Sequence, residues 1–121
     1  MPATLTKTSP PVDLMFRAFS NRTRLRILHL LRHEEVCVCD LQRALSVPQA
    51  KVSRHLAYLR RAGLVRARKQ GLWSYYTLAP ARDAVHRKLL ECLTSCFTHV
   101  PDLARDDARL KCCAGARGRC T

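Results

Sequence analysis

The segment from Pro48 to Gly63 places the tightest limit on how this chain folds. It carries one apolar stripe at helical spacing, made by Val52, Leu56 and Leu59. Pro48 suits the first turn of a helix, where its missing N–H costs nothing, and Gly63 is a natural C-terminal stop. The pattern predicts a helix from about Pro48 to Ala62, with one side against a core and the other in solvent.

The segments on either side complete a recognisable order of elements. Val36 to Cys39 is β-prone, Asp40 can cap a short helix, and Ser46-Val47-Pro48 forms a turn into the longer helix. After Gly63 come two strand-like stretches, residues 64–69 and 72–78, joined by a Gln70-Gly71 turn. A short helix, a turn, a longer helix and a hairpin predict a mainly α fold with a small β-hairpin, the winged helix-turn-helix.

The rest of the chain divides into an arm, flanking helices and a tail. Residues 1–11 end in two prolines and are predicted to be a flexible N-terminal arm. Residues 12–100 form the domain, with helices from Val12, from Arg22 to Arg32 and from Ala81 to about His99. The last of these carries two adjoining apolar stripes, more than one domain face needs, which indicates dimerisation helices and a homodimer. Residues 101–121 are predicted to be a flexible, Cys-rich basic tail.

The net charge of the chain indicates which classes of partner it can bind. The sequence has 22 Lys and Arg against nine acids, a formal net charge of +13. Such a field favours polyanions, and by itself leaves DNA, RNA and anionic lipid open. The sequence has no long apolar run and no signal-peptide core, so we expect a cytoplasmic protein with no membrane segment.

The outward side of the predicted reading helix offers base and phosphate contacts. Gln49 can pair with adenine, Arg54 with guanine, and Ala50 can touch a thymine methyl group. Ser53 and Lys51 suit phosphates. On the predicted hairpin, positive charge beside the turn comes from three residues that are also expected to contact DNA: Arg66, Arg68 and Lys69. Three further basic residues are predicted at the start and on the outer side of the helix from about Arg22 to Arg32: Arg22, Arg24 and Arg26.

Seven cysteines without a secretion signal indicate reduced thiols that bind a metal or sense redox state. Cys37 and Cys39 point to the same side of an extended segment but lie about 200° apart on a regular helix. They can share one small ion only if the start of the predicted helix is unwound. The alternative is that they are two small buried apolar residues, which is the interpretation favoured for Cys92 and Cys96.

Three stretches, taken together and in order, resemble the arsenic-repressor (ArsR/SmtB) family. They are Phe16–Leu28, the run Val52–Leu56 with Ala62-Gly63-Leu64-Val65, and Lys69-Gln70-Gly71 with Trp73 and Tyr76. The resemblance implies a winged-helix homodimer that leaves its operator when an inducer binds. It also implies DNA contacts at the positions of Gln49, Ala50, Ser53 and Arg54. Ala50 departs from the small polar residue often found there.

Glu35-Val36-Cys37-Val38-Cys39-Asp40-Leu41 resembles the arsenite-binding signature of the same family. Arsenite and antimonite prefer three soft thiolates, which makes Cys37 and Cys39 two expected ligands. Gln42 stands where a common form of the signature has its third cysteine. The third thiol is therefore expected from the tail or from a cellular thiol such as glutathione; the tail candidates are Cys112, Cys113 and Cys120. One composite site and two separate sites both stay open.

Other functions remain possible on the same fold. Thiol oxidation, or cadmium, lead or zinc, can replace arsenite as the signal. The family's zinc ligands are not matched in spacing, so the histidines among Asp83, His86, Glu91 and His99 are expected at the surface or an interface. A constitutive DNA-binding protein would ignore any ligand. An enzyme is not expected, because no Cys-x-x-Cys lies in a βαβ context and no phosphate-binding glycine loop exists.

Overall fold

Six helices and three strands make up the part of the chain that the structure, a computed structural model, describes: residues 12–97 and 99–115. In chain order they are α1 (Val12–Phe19), α2 (Arg22–Leu30), β1 (Val36–Cys37), α3 (Val38–Leu45), α4 (Gln49–Arg61), β2 (Val65–Gln70), β3 (Trp73–Leu78), α5 (Ala84–Ser95) and α6 (Pro101–Gly115). Among the described residues, no helix is both long and apolar enough to cross a membrane.

The helix-turn-helix predicted from the sequence is present as α3 and α4. Its turn contains Ser46 in the left-handed region, with φ of 56°, and Pro48 precedes the first residue of α4. Both helices pack against α2 around one core of buried aliphatic side chains, which includes Ile27, Leu28, Leu41, Leu45, Val52, Leu56, Leu59 and Leu64. The core fixes α4 from one side only, so the other side of α4 stays in solvent.

The predicted hairpin, which we call the wing, belongs to a three-stranded antiparallel sheet of order β1-β3-β2. Gly71 has a φ of +61°, a conformation that side chains rarely adopt, and it joins Gln70 to the start of β3. The sequence predicted the β-prone stretch that forms β1 but not its pairing with the hairpin. In β1, Val36 pairs with Tyr76 and Cys37 pairs with Tyr75, and α3 begins directly at the next residue, Val38. The β-prone stretch therefore ends two residues earlier than expected.

The long helix predicted from Ala81 to His99 is shorter in the structure. It begins at Ala84, because the side chain of Asp83 accepts a hydrogen bond from the backbone N–H of His86 and caps the helix. It ends at Ser95. Pro101 disfavours helical geometry at the residue before it, so the chain turns there and α6 begins at the proline.

The prediction that a flexible tail starts at residue 101 is wrong for Pro101–Gly115, which form α6. Aspartates on α6 face arginines of α2 and the residues just after it, in the pairs Asp102–Arg22, Asp106–Arg26 and Asp107–Arg32. Leu103 is 1% exposed, and Leu110 packs on the edge of the core. These contacts dock α6 on α2 and α3. Cys120 lies outside the described residues.

We expect the contribution of Asp107 to α6 docking to disappear in acid. Burial opposes its ionisation, but hydrogen bonds from Arg32 and His29 outweigh that effect and lower the pKa of Asp107. A carboxyl group with a lowered folded pKa stabilises the fold fully above its ordinary value of about 3.9, and less as pH falls through the folded value. Asp107→Asn should therefore lower the free energy of unfolding by about 1–2 kcal/mol near pH 7.

Urea unfolding of both chains between pH 7 and pH 3 measures this difference, which should shrink below about pH 4. Asp13→Asn is the control, since the Asp13–Arg17 pair is about two-thirds exposed on both sides. A difference between Asp107→Asn and the parent chain that stays constant down to pH 3 would contradict the expectation.

Candidate nucleic-acid interface and thiol site

The five residues of α4 that the sequence singled out lie together on its exposed side, which we call the reading face: Gln49, Ala50, Lys51, Ser53 and Arg54. The opposite side is buried, and the inward stripe of Val52, Leu56 and Leu59 is at most 1% exposed. The inward stripe predicted for α4 is therefore confirmed. An exposed helix of this width fits the major groove of B-DNA.

Arg24 holds α4 in place, a role that the sequence reasoning missed when it put this side chain on an outer surface. Its guanidinium carbon lies 4.0 Å from the centre of the Tyr58 ring on α4. Its Nε and Nη2 donate to the carbonyl oxygens of Ala18 (3.2 Å) and Arg17 (3.0 Å) at the end of α1. One side chain thus joins α1, α2 and α4. Arg26, assigned to the same outer side, is instead largely buried against Asp106.

The electrostatic field around the reading face is positive. Partial burial lowers the pKa of His55, and the charges of Arg24, Lys51 and Arg54 lower it further. Residues 49–78, which span α4 and the wing, contain seven Lys and Arg and no acid. We call this stretch the acid-free segment. It concentrates the charge of the chain where the helix and the wing are exposed.

The three basic residues predicted on the wing are all exposed, but Arg68 is already engaged. Its Nε and Nη2 donate to the two carboxylate oxygens of Glu35, at 2.9 and 2.7 Å, and its Nη1 donates to Gln70 at 2.8 Å. Its guanidinium carbon also lies 4.7 Å from the centre of the Tyr75 ring. The hydrogen bonds from Arg68 lower the pKa of Glu35. Arg66 and Lys69 complete the exposed charge of the wing.

Cys37 and Cys39 lie where the sheet of the wing joins the helix-turn-helix. Cys37 is the last residue of β1, is 6% exposed, and occupies the N-cap position of α3 with φ −69° and ψ 143°. Cys39 is half-buried in the first turn of α3. One thiol therefore belongs to extended backbone and the other to helix. Sharing one ion would require the first turn of α3 to open, because i and i+2 face apart on a helix.

Cys112 lies on α6, the helix that packs against α3. Arg109 Nη1 lies 3.5 Å from the carbonyl oxygen of Ala44 and 3.4 Å from Ser46 Oγ, at the end of α3. Cys112 follows one turn later and is exposed, whereas nothing is described for the side chain of Cys113. Among the side chains that the structure describes, which exclude that of Cys113, no three of Cys, His, Asp or Glu gather as a metal site.

Two expectations about the other cysteines and histidines need correction. Cys92 is half-buried and Cys96 is exposed, so neither belongs to the core of the described chain. A hydrogen bond between them raises the pKa of Cys92. His86, expected at the surface or an interface, is 1% exposed, and its Nδ1 accepts a hydrogen bond from the backbone N–H of Arg82. Burial lowers the pKa of His86.

Comparisons with known proteins place the chain among bacterial transcriptional regulators. Residues 21–67 match the family described as "Bacterial regulatory protein, arsR family". The chain is 40% identical over 113 residues to the arsenical resistance operon repressor of Escherichia coli K12, covering 92% of this chain and 96% of the relative. It is 35% identical over 97 residues to a cadmium resistance regulatory protein CadC homolog of Staphylococcus aureus, covering 78% of this chain and 75% of the relative.

The fold is also shared with a solved structure. Reduced HlyU from Vibrio cholerae N16961 aligns with a TM-score of 0.65 and 29% identity, over 82% of this chain and all of that chain. The mainly helical architecture with a small antiparallel sheet is therefore that of winged-helix regulators.

Proposed function

The chain belongs to the arsR family of bacterial regulatory proteins, and we propose that it acts as a homodimeric repressor released from its operator by arsenite or antimonite. The observation that carries this proposal is the position of Cys37 and Cys39. They lie at the junction of β1 and α3, so an ion bound there acts on the helix that braces the reading face.

The reading face and the wing are the proposed contacts with double-stranded DNA. Gln49, Ala50 and Arg54 would meet base edges in the major groove, while Lys51 and Ser53 would meet phosphates. Arg66 and Lys69 of the wing would add phosphate contacts. The exposure of all these side chains and the positive field around α4 support the assignment.

A homodimer is proposed because apolar side chains of two helices lie in solvent. Val12 and Phe16 on α1 are 48% and 51% exposed, and Val85 on α5 is 36% exposed. Burying them against a second copy would bring two reading faces to one duplex, as two-fold operators require.

The inducer chemistry follows from the thiols. Each thiol that binds arsenite displaces one hydroxyl of the arsenic as water, and three thiols complete a pyramid of soft ligands. Cys37 and Cys39 supply two of them. To converge, they must open the first turn of α3, which would shift α3 and misplace the reading face that it braces.

The proposed source of the third thiol is Cys112, Cys113 or Cys120. Support comes from the docking of α6, whose Arg109 reaches the end of α3 and whose Leu110 and Lys111 line one cavity with His33 and Glu34. His33 and Glu34 lie only a few residues before Cys37, so the chain beyond Lys111 starts near the segment that carries the proposed site.

Fluorescence anisotropy on an operator selected from a randomised duplex pool tests the proposal. At fixed salt and with a reductant present, arsenite should release the parent chain, and Cys37→Ser or Cys39→Ser should bind the operator but resist release. Cys92→Ser is the matched control and should respond normally. Cys112→Ser, Cys113→Ser and Cys120→Ser, made one at a time, identify the third ligand.

The same assay tests the second candidate signals. A cadmium resistance regulator among the relatives favours cadmium, and lead or zinc would act through similar ligands. Release by one of these metals, or by peroxide in the absence of reductant, but not by arsenite would keep the DNA-binding role and overturn the arsenite assignment.

A further inference from the structure

The wing is connected directly to the segment that carries Cys37. In the sheet, Cys37 pairs with Tyr75 on β3, and Tyr75 in turn pairs with Arg68 on β2. The guanidinium of Arg68 stacks on the Tyr75 ring. It also forms an ion pair with Glu35, which lies two residues before Cys37. Strand pairing and an ion pair therefore both connect the wing to the segment from Glu35 to Cys37.

Each of the three nitrogens of the Arg68 guanidinium donates one hydrogen bond within the protein. Nε and Nη2 bind both oxygens of Glu35, and Nη1 binds Gln70. A two-pronged pair of this kind fixes direction as well as distance. Arg68 would have to break it to grip a DNA phosphate in the same way. Arg66 lies two positions away on the same strand and is exposed.

We propose that Glu35 and Arg68 are positioning residues that tie the wing to the β1 segment. Through this tie, a change at the thiol site moves the wing as well as the reading face. This inference rests on the proposed function for the identity of the inducer but not for the tie itself. When Cys37 moves, β1 moves with it, and the wing follows through Tyr75 and Arg68. Operator release then comes from two displaced elements, the reading face and the wing.

The first test needs no inducer. Glu35→Gln keeps the shape of the side chain but weakens its grip on Arg68, and the loosened wing should bind the operator about two- to fivefold more weakly. Glu34→Gln is the matched control, because it removes the same charge one residue away at an exposed site. If charge alone mattered, both substitutions would strengthen operator binding, since removing an acid favours DNA binding.

A second pair of variants separates positioning from phosphate contact. Arg68→Ala and Arg66→Ala each remove one positive charge from β2. If Arg68 were a phosphate ligand, the two should weaken binding equally and lower the salt slope by about one, and Glu35→Gln should tighten binding by freeing Arg68. If Arg68 positions the wing, combining Glu35→Gln with Arg68→Ala should cost no more affinity than Arg68→Ala alone.

Trp73, the only tryptophan of the sequence, stands at the start of β3 and reports on the wing. Arsenite should change its emission in the parent chain and in Glu34→Gln. In Glu35→Gln the ultraviolet absorbance of arsenic–sulfur bonds should persist while the Trp73 change becomes smaller.

A full Trp73 response in Glu35→Gln, or operator binding by it as tight as by Glu34→Gln, overturns the inference. Absence of arsenic–sulfur absorbance in the parent chain overturns the arsenite proposal instead. In that case, the operator affinities of Glu35→Gln and Glu34→Gln without inducer still test whether Glu35 and Arg68 position the wing.

Discussion

Replacing Asp106 by alanine is expected to lower the free energy of unfolding by about 3 kcal/mol, because it leaves Arg26 buried without its carboxylate. Asp106 is fully buried, and its two oxygens accept hydrogen bonds of 2.8 and 2.9 Å from the Arg26 guanidinium. Arg26 Nη2 also donates to the carbonyl oxygen of Leu45 at 2.9 Å, so the pair joins α6, α2 and the end of α3.

Thermal or urea unfolding measures this cost, and a shift in Tm of about 10 °C corresponds to it for a chain of this size. Asp102→Ala is the control, since its partners Arg22 and Arg105 are more than half exposed and the expected cost is under about 1 kcal/mol. Replacing Arg26 and Asp106 together by methionine and leucine should recover most of the loss. Equal costs for Asp106→Ala and Asp102→Ala would refute the role given to the buried pair.

Arg54→Ala is expected to weaken operator binding by about 1–3 kcal/mol, which is roughly five- to 150-fold, if its guanidinium reads a guanine. The side chain lies exposed on the reading face, in the half of α4 that enters a groove deepest. Arg54→Lys should not restore the affinity, because an ammonium group cannot form the two parallel hydrogen bonds of a guanidinium.

Anisotropy with the operator and with a scrambled duplex, each at two salt concentrations, checks the expectation. Arg54→Ala should lose affinity mainly for the operator. Lys51→Ala should lose it about equally on both duplexes, as expected for a phosphate contact. The base-reading role of Arg54 is disproved if its alanine variant weakens binding to both duplexes by the same factor.

Local patterns were enough to predict the reading helix and most of the wing. The stripe of Val52, Leu56 and Leu59 fixes which side of α4 is buried, and it does so without reference to any other part of the chain. The turn of the wing was predicted to within one residue for a similar reason, since Gly71 supplies the positive φ that it needs.

The interactions that the sequence reasoning missed join residues far apart in the chain. Arg24 to Tyr58, Arg68 to Glu35 and Arg26 to Asp106 each depend on how helices and strands meet. A charged side chain at the surface and one buried against a distant partner look alike in sequence.

A local signal for α6 did exist. Pro101 suits a helix start, and Leu103, Asp106, Asp107 and Leu110 follow the i, i+3, i+4, i+7 spacing of one helix face. The glycines and basic residues near the end of the chain are typical of a flexible tail and conflict with that signal. The third thiol ligand of the proposed site has no local signature, because the cysteines proposed for it lie more than 70 residues after Cys39.

The acid-free segment has a consequence for where the protein resides on a chromosome. Nothing in residues 49–78 repels a phosphate backbone, so under the proposed function any duplex would compete with the operator for the protein. An inducer that displaces α3 leaves this charge intact. In the proposed mechanism, induction would therefore move the protein from the operator to the surrounding DNA rather than into free solution. A modest loss of preference for the operator would then be enough to empty it.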